Sequence, residues 1–272
     1  VVNIALDPVL IFMCGMGISG AALATIISQF ISFVILLWVS QRGPGIHISL
    51  QKVRFSADFL KEIVRGGFPS LCRQGLGSVA TIALNMAAGV YGDAAIAGMS
   101  IVSRITMFAY SALIGFGQGF QPVCGFNYGA KLYDRVREAF YFCLKTAAGF
   151  LILLSIAGYI GAPQLVELFR KGDPEVTAVG IAALRFSCIS FSLSGGIVMS
   201  NMFLQSIGMA VRASVVAAAR QGLFFLPLIF ILPSIMGLKG VEMCQMVSDI
   251  LTFLLAMPLS VSVLRKMGTE SD

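Results

Sequence analysis

Apolar residues in this chain fall in eight long blocks, and nothing else in the sequence constrains its fold as strongly. The blocks are 1–14, 18–40, 68–91, 94–120, 138–162, 175–207, 212–235 and 240–264. A helix that crosses a bilayer needs roughly 20 apolar residues, and every block but the first reaches that length. Turn signals separate them: Gly15 to Gly17, Tyr91-Gly92-Asp93, Lys171-Gly172-Asp173-Pro174 and Gly237 to Gly240. Hydrophobic residues make up 57% of the chain and charged residues only 12%, about half the usual share in a soluble domain (about 25%). The expected fold class is all-α, a polytopic transmembrane helical bundle.

Successive blocks must cross in opposite directions, so the basic residues can be sorted by side. One set of block ends carries Arg42, Lys52, Arg54, Lys61, Arg65, Lys131, Arg135, Arg137, Arg212, Arg265 and Lys266. The opposite set carries Arg170, Lys171 and Lys239. Lys and Arg accumulate on the cytoplasmic side, so the asymmetry predicts a cytoplasmic C-terminus. It also accounts for the net charge of +6 without a nucleic-acid partner. Arg73, Arg104, Lys145, Arg185 and Arg220 fall within blocks.

Cys14, Cys72, Cys124, Cys143, Cys188 and Cys244 form no CxxC pair and lie in or beside apolar blocks. They read as small packing residues. The single His47 sits in a polar linker, which argues against a His-based metal or catalytic site. Val1 opens the sequence inside an apolar run, with no basic leader. The expectation is a longer chain interrupted here. In the 41–67 linker, Ser56 can cap a short amphipathic helix ending at Gly66-Gly67. Its apolar face would comprise Phe55, Phe59, Leu60, Ile63 and Val64. Such a helix would lie along the inner membrane surface, with Pro69 in the first turn of the next span.

The chain also repeats itself. Met16, Gly17, Gly20, Ser28 and Phe33 recur 220 positions later as Met236, Gly237, Gly240, Ser248 and Phe253. A one-residue shift then sets Pro8 against Pro227. Both copies run outside to inside, so the repeats are parallel. In this alignment Asp7 faces Leu226, Asn3 faces Gly222 and Thr25 faces Gln245. The second copy thus lacks an acid where the first has one.

Several motifs, in order, resemble the multidrug and toxic compound extrusion (MATE) transporters. They are Asn3-Ile-Ala-Leu-Asp-Pro8, Gly20-Ala-Ala-Leu-Ala-Thr25, Gly67-Phe-Pro-Ser-Leu-Cys-Arg-Gln-Gly75, Gly115-Phe-Gly-Gln-Gly-Phe-Gln-Pro122, Gly125-Phe-Asn-Tyr-Gly-Ala-Lys131 and Tyr133-Asp-Arg-Val136. The resemblance implies twelve spans in two six-helix lobes. Residues 1–40 would be the end of the first lobe (spans 5 and 6), and 41–66 the cytoplasmic inter-lobe linker. Residues 67–264 would form the second lobe (spans 7 to 12), and 265–272 a cytoplasmic tail. The N-terminal half would lie outside this sequence. The implied activity is antiport: H⁺ or Na⁺ flows inward while cationic or amphipathic compounds leave. The site would lie in a bacterial cytoplasmic membrane. No cofactor is implied, and no metal beyond Na⁺ at a cation site. The family's cation-site pattern falls on Asn3, Asp7 and Thr25. Its alternative carboxylates on spans 7 and 10 are absent, since 68–91 and 176–207 contain no acid.

A carboxylate at membrane depth is costly and is a functional candidate by default. Asn3 and Asp7 are four residues apart and share a helix face. Asn3 can donate to the carboxylate or offer its carbonyl oxygen to a cation, and Pro8 frees a carbonyl one turn earlier. Coupling would then be confined to the first lobe. Gln74, Asn85, Asn201 and Gln205 are candidate substrate-cavity residues, with Gln118, Gln121 and Gln221 behind them; interhelical hydrogen bonding is the alternative for each. Asp249, within the last span, reads as a partner for another span before a second protonation site. Arg73 and Arg220 each begin an Arg-Gln-Gly triplet and suggest a structural or lipid-anchoring role near the inner face. No catalytic motif such as HExxH or a phosphate-binding Gly-rich loop occurs, so an enzyme is not expected. A lipid-linked sugar flippase of a related superfamily and a non-transport membrane interaction protein are the other readings.

Overall fold

Residues 2–42, 56–170 and 172–269 are described by the computed structural model. His47, Phe55 and most of the expected inter-lobe linker lie outside them. The described residues are helical apart from short turns and contain no strand. In hydrocarbon every backbone N–H and C=O must bond internally, and a helix does this within one segment. The chain divides into two compact units, Val1–Phe59 and Leu60–Asp272.

In the first unit α1 (Val2–Pro8) passes into a π-helical turn (Val9–Met13) and, after a short turn, α2 (Gly17–Arg42) follows. Pro8 has no N–H for the Ile4 carbonyl, which accounts for the change of helix type at that point. Gly17 turns the chain with φ +55°, and Gly20 packs so closely that a Cβ would stand 2.7 Å from the Leu10 carbonyl oxygen. At the other end of α2, the Arg42 guanidinium lies 4.1 Å from the centre of the Trp38 ring.

The second unit comprises α3 (Ala57–Gly89, its first residues belonging to the preceding unit), α4 (Asp93–Gly129), α5 (Tyr133–Ile160), α6 (Ala162–Phe169), α7 (Pro174–Ser206), α8 (Ala210–Ala218), a second π-helical turn (Ala219–Leu223), α9 (Phe225–Met236) and α10 (Leu238–Thr269). Six helical rods among the described residues are long and apolar enough to cross a membrane: α2, α4, α5, α7, the continuous Ala210–Met236 rod and α10. α3 is long enough but less apolar, because Arg73, Gln74 and Asn85 interrupt it. Seven of the eight apolar blocks fall on these helices, and the first falls on α1 and its π-helical turn.

Three boundaries differ from the sequence expectation. Ser56 does cap α3, its Oγ accepting from the Phe59 N–H at 3.3 Å. The helix then runs through Gly66-Gly67 and Pro69 to Gly89 instead of ending at the glycines. Glycine lowers helix propensity by only about 1 kcal/mol, less than unsatisfied backbone groups cost away from water. α4 likewise continues through Pro122 to Gly129. The short α6 falls between two blocks, starting with Pro163 in its first turn.

α7 is the centre of the unit. It packs against α4, α5, α6, α8 and α10, and is buried over most of its length from Ser187 to Leu204. Its small residues explain how. Gly195 abuts Ala147 and Leu151 of α5, and Gly196 abuts Phe253 and Met257 of α10. Small residues at membrane helix interfaces let backbones approach and exchange dispersion contacts. Asp173 caps the start of α7, its Oδ1 accepting from the Val176 N–H. On the cytoplasmic half of the expected topology, Phe140 is fully buried between Phe120 and Phe203, with ring centres 6.4 and 5.1 Å away.

Candidate functional sites

In the first unit, Asn3 Nδ2 donates to Asp7 Oδ1 at 3.2 Å, and both side chains are half-buried. The bond follows from the i, i+4 spacing on α1. Among the described residues it is the one hydrogen bond that Asp7 accepts. Pro8 and the wide turn come directly after it. The remaining carboxylate lone pairs and the Asn3 carbonyl oxygen are hard donors of the kind that hold Na⁺ or a proton. Thr25 is on α2 and exposed. Its hydroxyl donates to the Ala21 carbonyl at 2.9 Å, within its own helix. No described hydrogen bond joins it to the Asn3–Asp7 pair, although its oxygen keeps an acceptor lone pair.

The second unit holds a denser polar cluster at its core. Asp249 on α10 is almost fully buried. Its Oδ1 accepts from Arg220 Nε at 2.7 Å and from Gln245 Nε2 at 2.8 Å. Its Oδ2 accepts from Ser190 Oγ at 3.2 Å and Arg220 Nη2 at 3.4 Å. Four donor groups suit a carboxylate, which only accepts. Arg220 belongs to the second π-helical turn, and its guanidinium also lies 4.2 Å from the centre of the Tyr110 ring on α4. Ser248 Oγ donates to the Arg220 carbonyl at 2.6 Å, satisfying a backbone group that the irregular helix exposes. The cluster therefore ties α4, α7, the π-helical turn and α10 together.

This arrangement decides between two expectations and fills in another. Arg220 has the structural role and not the lipid-anchoring one: its partner is Asp249, deep between helices. Asp249 is indeed paired with another span. Ser190, Tyr110 and Gln245 escaped the sequence reading. Only the opposite charges of Arg220 and Asp249, each well inside an apolar block, could have signalled the cluster.

The four candidate cavity residues separate into two pairs. Asn201 is 4% exposed, and its Nδ2 donates to the Ala213 carbonyl at 2.7 Å. Its Oδ1 accepts from Gln205 Nε2 at 2.8 Å, and Gln205 Oε1 accepts from Gln121 Nε2 at 3.2 Å. These amides form a relay across α8, α7 and α4. Gln74 and Asn85 are exposed on α3. Arg73, beside Gln74, is half-buried. The ion pairs among the described residues are Arg220–Asp249 and Arg170–Asp173, so Arg73 has no carboxylate partner there.

With this geometry in view, similarity to known proteins is informative. A family model described as MatE matches residues 69–231, more than half of the chain. The multidrug export protein MepA of Staphylococcus haemolyticus is 26% identical over 274 residues, which cover 99% of this chain and 59% of that protein. MepA of Staphylococcus saprophyticus is 28% identical over 259 residues, covering 94% and 56%. Among solved structures, an outward-facing multidrug resistance MATE family transporter of the MOP superfamily superposes with a TM-score of 0.88 at 24% identity, covering 98% of this chain and 61% of that one. A MOP superfamily transporter from Pyrococcus furiosus gives a TM-score of 0.89 at 23% identity, covering 98% and 61%. At such identities these structures speak to the fold alone. The chain spans less than three fifths of the length of the MepA relatives. The match to the family model, carried by a bundle of apolar helices, means that this chain belongs to the MatE family and is a multi-pass α-helical membrane protein.

Proposed function

We propose that this chain serves in a cation-coupled exporter of amphipathic compounds, with Asp7 as the coupling acid. Membership of the MatE family and similarity to proteins named for multidrug export support the transport reading. The asymmetry of basic residues supports a cytoplasmic C-terminus in a bacterial plasma membrane. The observation that carries the coupling is local. Asp7 is a half-buried acid, held by one neutral amide, at the point where a proline turns an α-helix into a π-helix.

Such a carboxylate can gain or lose a proton or Na⁺ without breaking an ion pair. A change in its charge would alter the balance between α1 geometries, and that bias is how ion flow would drive a change of shape. The full cycle requires the rest of the transporter, and the coupling ion is H⁺ or Na⁺.

The test is dye efflux from cells or proteoliposomes containing the intact transporter, with H⁺ and Na⁺ gradients imposed separately. Asp7→Asn should lower gradient-driven efflux at least about tenfold, equivalent to about 1.4 kcal/mol on the driven step, and abolish its response to the gradient that drives the native protein. Efflux by Asp7→Asn at the native rate, with the native gradient dependence, would refute the assignment. A lipid-linked sugar flippase would instead show no dye efflux in the native protein.

A further inference from the structure

Where α5 nears its Ile160 end, the surface between α5 and α7 opens into a groove. Its walls include Ile152, Ile156 and Tyr159 of α5 and Cys188, Ile189 and Ser192 of α7, and its volume is about 420 Å³. Small-molecule sites span about 300–1,000 Å³. The two helices are antiparallel here: Gly195 of α7 abuts Leu151, and Gly158 of α5 abuts Cys188. Buried Cys188 forms the floor, and its Sγ would stand 2.9 Å from a Cβ on Gly158, so the helices close behind it. The groove runs along the helix axes. Ile152 to Tyr159 on one wall, and Arg185 to Ser192 on the other, each cover roughly 10 Å at about 1.5 Å per residue.

One end of the groove is cationic. The Arg185 guanidinium lies 5.2 Å from the centre of the Tyr159 ring. Arg185 is exposed, and it stands one helical turn before Cys188 and Ile189 on α7. The ion pairs among the described residues, Arg220–Asp249 and Arg170–Asp173, do not include it. Tyr159 is the next-to-last residue of α5, and tyrosines collect at the membrane–water interface. The cation therefore sits at headgroup level, and the apolar groove leads from it toward the membrane centre. Ser155, one turn deeper in the same wall, has a buried hydroxyl with no hydrogen-bond partner among the described residues. The surrounding face suits hydrocarbon: between Phe150 and Ile160 the exposed residues of α5 are aliphatic or aromatic. α3 instead exposes Gln74, Ser78, Thr81 and Asn85 along one stripe, which suits a wet interior.

We propose that the α5–α7 groove binds an anionic phospholipid, with one acyl chain between the helices and the phosphate on Arg185. Tyr159 holds the guanidinium at the mouth, where it meets the phosphate through charge-assisted hydrogen bonds, and the Ser155 hydroxyl is left for an ester oxygen. A groove that opens onto hydrocarbon meets phospholipid as the most abundant amphipath of this shape. The leaflet is the outer one in the topology proposed above. The site needs only a chain that spans a membrane, so it stands whether or not Asp7 couples transport.

Photolabelling of the intact transporter in phosphatidylcholine nanodiscs tests it, with a trace of phosphatidylglycerol or of phosphatidylcholine that carries a diazirine on one acyl chain. Peptide mapping of the native protein should show segments 150–160 and 185–193 labelled about fivefold more by the phosphatidylglycerol probe. Arg185→Gln should bring that ratio close to one, and Arg185→Lys should keep most of it. Ile156→Trp, which fills the groove, should lower labelling of both segments by both probes. Melting of each variant in the same nanodiscs separates a lost site from a lost fold. Equal labelling of the native segments by the two probes, or an unchanged ratio in a folded Arg185→Gln protein, would overturn the proposal. So would native segments that neither probe labels, because another part of the transporter would then cover the groove. Lipid labelling reads this groove and gradient-driven efflux reads Asp7, so either reading can fail while the other stands.

Discussion

Two hairpins of this chain are built alike and furnished differently. In the first, α1 and its π-helical turn lead through Met16-Gly17 into α2. In the second, α8, its π-helical turn and α9 lead through Met236-Gly237 into α10. Gly17 and Gly237 both turn the chain with positive φ, at +55° and +63°. Three residues later, Gly20 and Gly240 both press on the backbone of the preceding helix, against Leu10 and Leu232. The acids differ. Asp7 accepts one bond from a neutral amide on its own helix. Asp249 accepts from a guanidinium, an amide and a hydroxyl on three separate elements. A common scaffold thus carries one under-satisfied carboxylate, the proposed coupling acid, and one saturated carboxylate that fastens helices.

The sharpest way to break this comparison is to remove each negative charge in turn. Asp249→Asn leaves Arg220 without its counter-charge, and breaking a buried pair typically costs about 3–5 kcal/mol. The variant should melt well below the native protein in detergent. Asp7→Asn keeps an acceptor oxygen for Asn3 and loses only the charge behind one half-buried hydrogen bond, about 1 kcal/mol or less, and should melt near the native temperature while losing coupled efflux. Equal destabilisation by the two would erase the proposed distinction. Next, Arg220→Met combined with Asp249→Leu should recover most of the stability lost in Asp249→Asn, since apolar replacement of both partners is often close to neutral. Failure to recover would mean that Tyr110, Ser190 and Gln245 contribute more than the pair does.

Smaller effects test the shared scaffold. Gly240→Ala pushes a methyl group into the Leu232 backbone and should cost about 1–3 kcal/mol. Gly20→Ala should act in the same direction through Leu10, and a neutral result at either site would separate the two turns. The smallest effect is expected at Thr25. Its hydroxyl bonds within α2, so Thr25→Val should change melting by less than about 0.5 kcal/mol. Its efflux phenotype then sharpens the cation site. A loss confined to Na⁺-driven transport would bring the Thr25 oxygen into that site, and native efflux would leave Asn3 and Asp7 alone there.

The fold was legible wherever a residue's role depended on hydrophobicity. Every apolar block lies in a helix, and the repeated Met-Gly-x-x-Gly marks the same turn twice, because left-handed φ and close approach both require glycine. Helix ends were less legible. Gly66-Gly67 read as a helix end and the apolar block 94–120 stopped short of Pro122, yet α3 and α4 run through these positions, since the cost of an open backbone away from water outweighs a weak local preference. At the sites, Asn3 and Asp7 could be paired from spacing because they share one helix. Two of the three partners of Asp249 come from α7 and the π-helical turn, and no local pattern encodes which helices will be neighbours. Asn201 and Gln205 show the same limit. Polarity in a span says that a partner exists, and only packing says whether it is another amide or a cavity.

The position of α7 has a consequence for biogenesis. Its serine- and glycine-rich sides are covered by α4 and α5, which are translated before it, and by α8 and α10, which are translated after it. During synthesis the earlier neighbours can dock at once, while Ser190 and Gly196 wait for α10 to emerge. A ribosome stalled before Asp249 would therefore release a product whose central helix has one unsheltered polar side, a natural target for membrane quality control. α10 acts as the closing piece around α7.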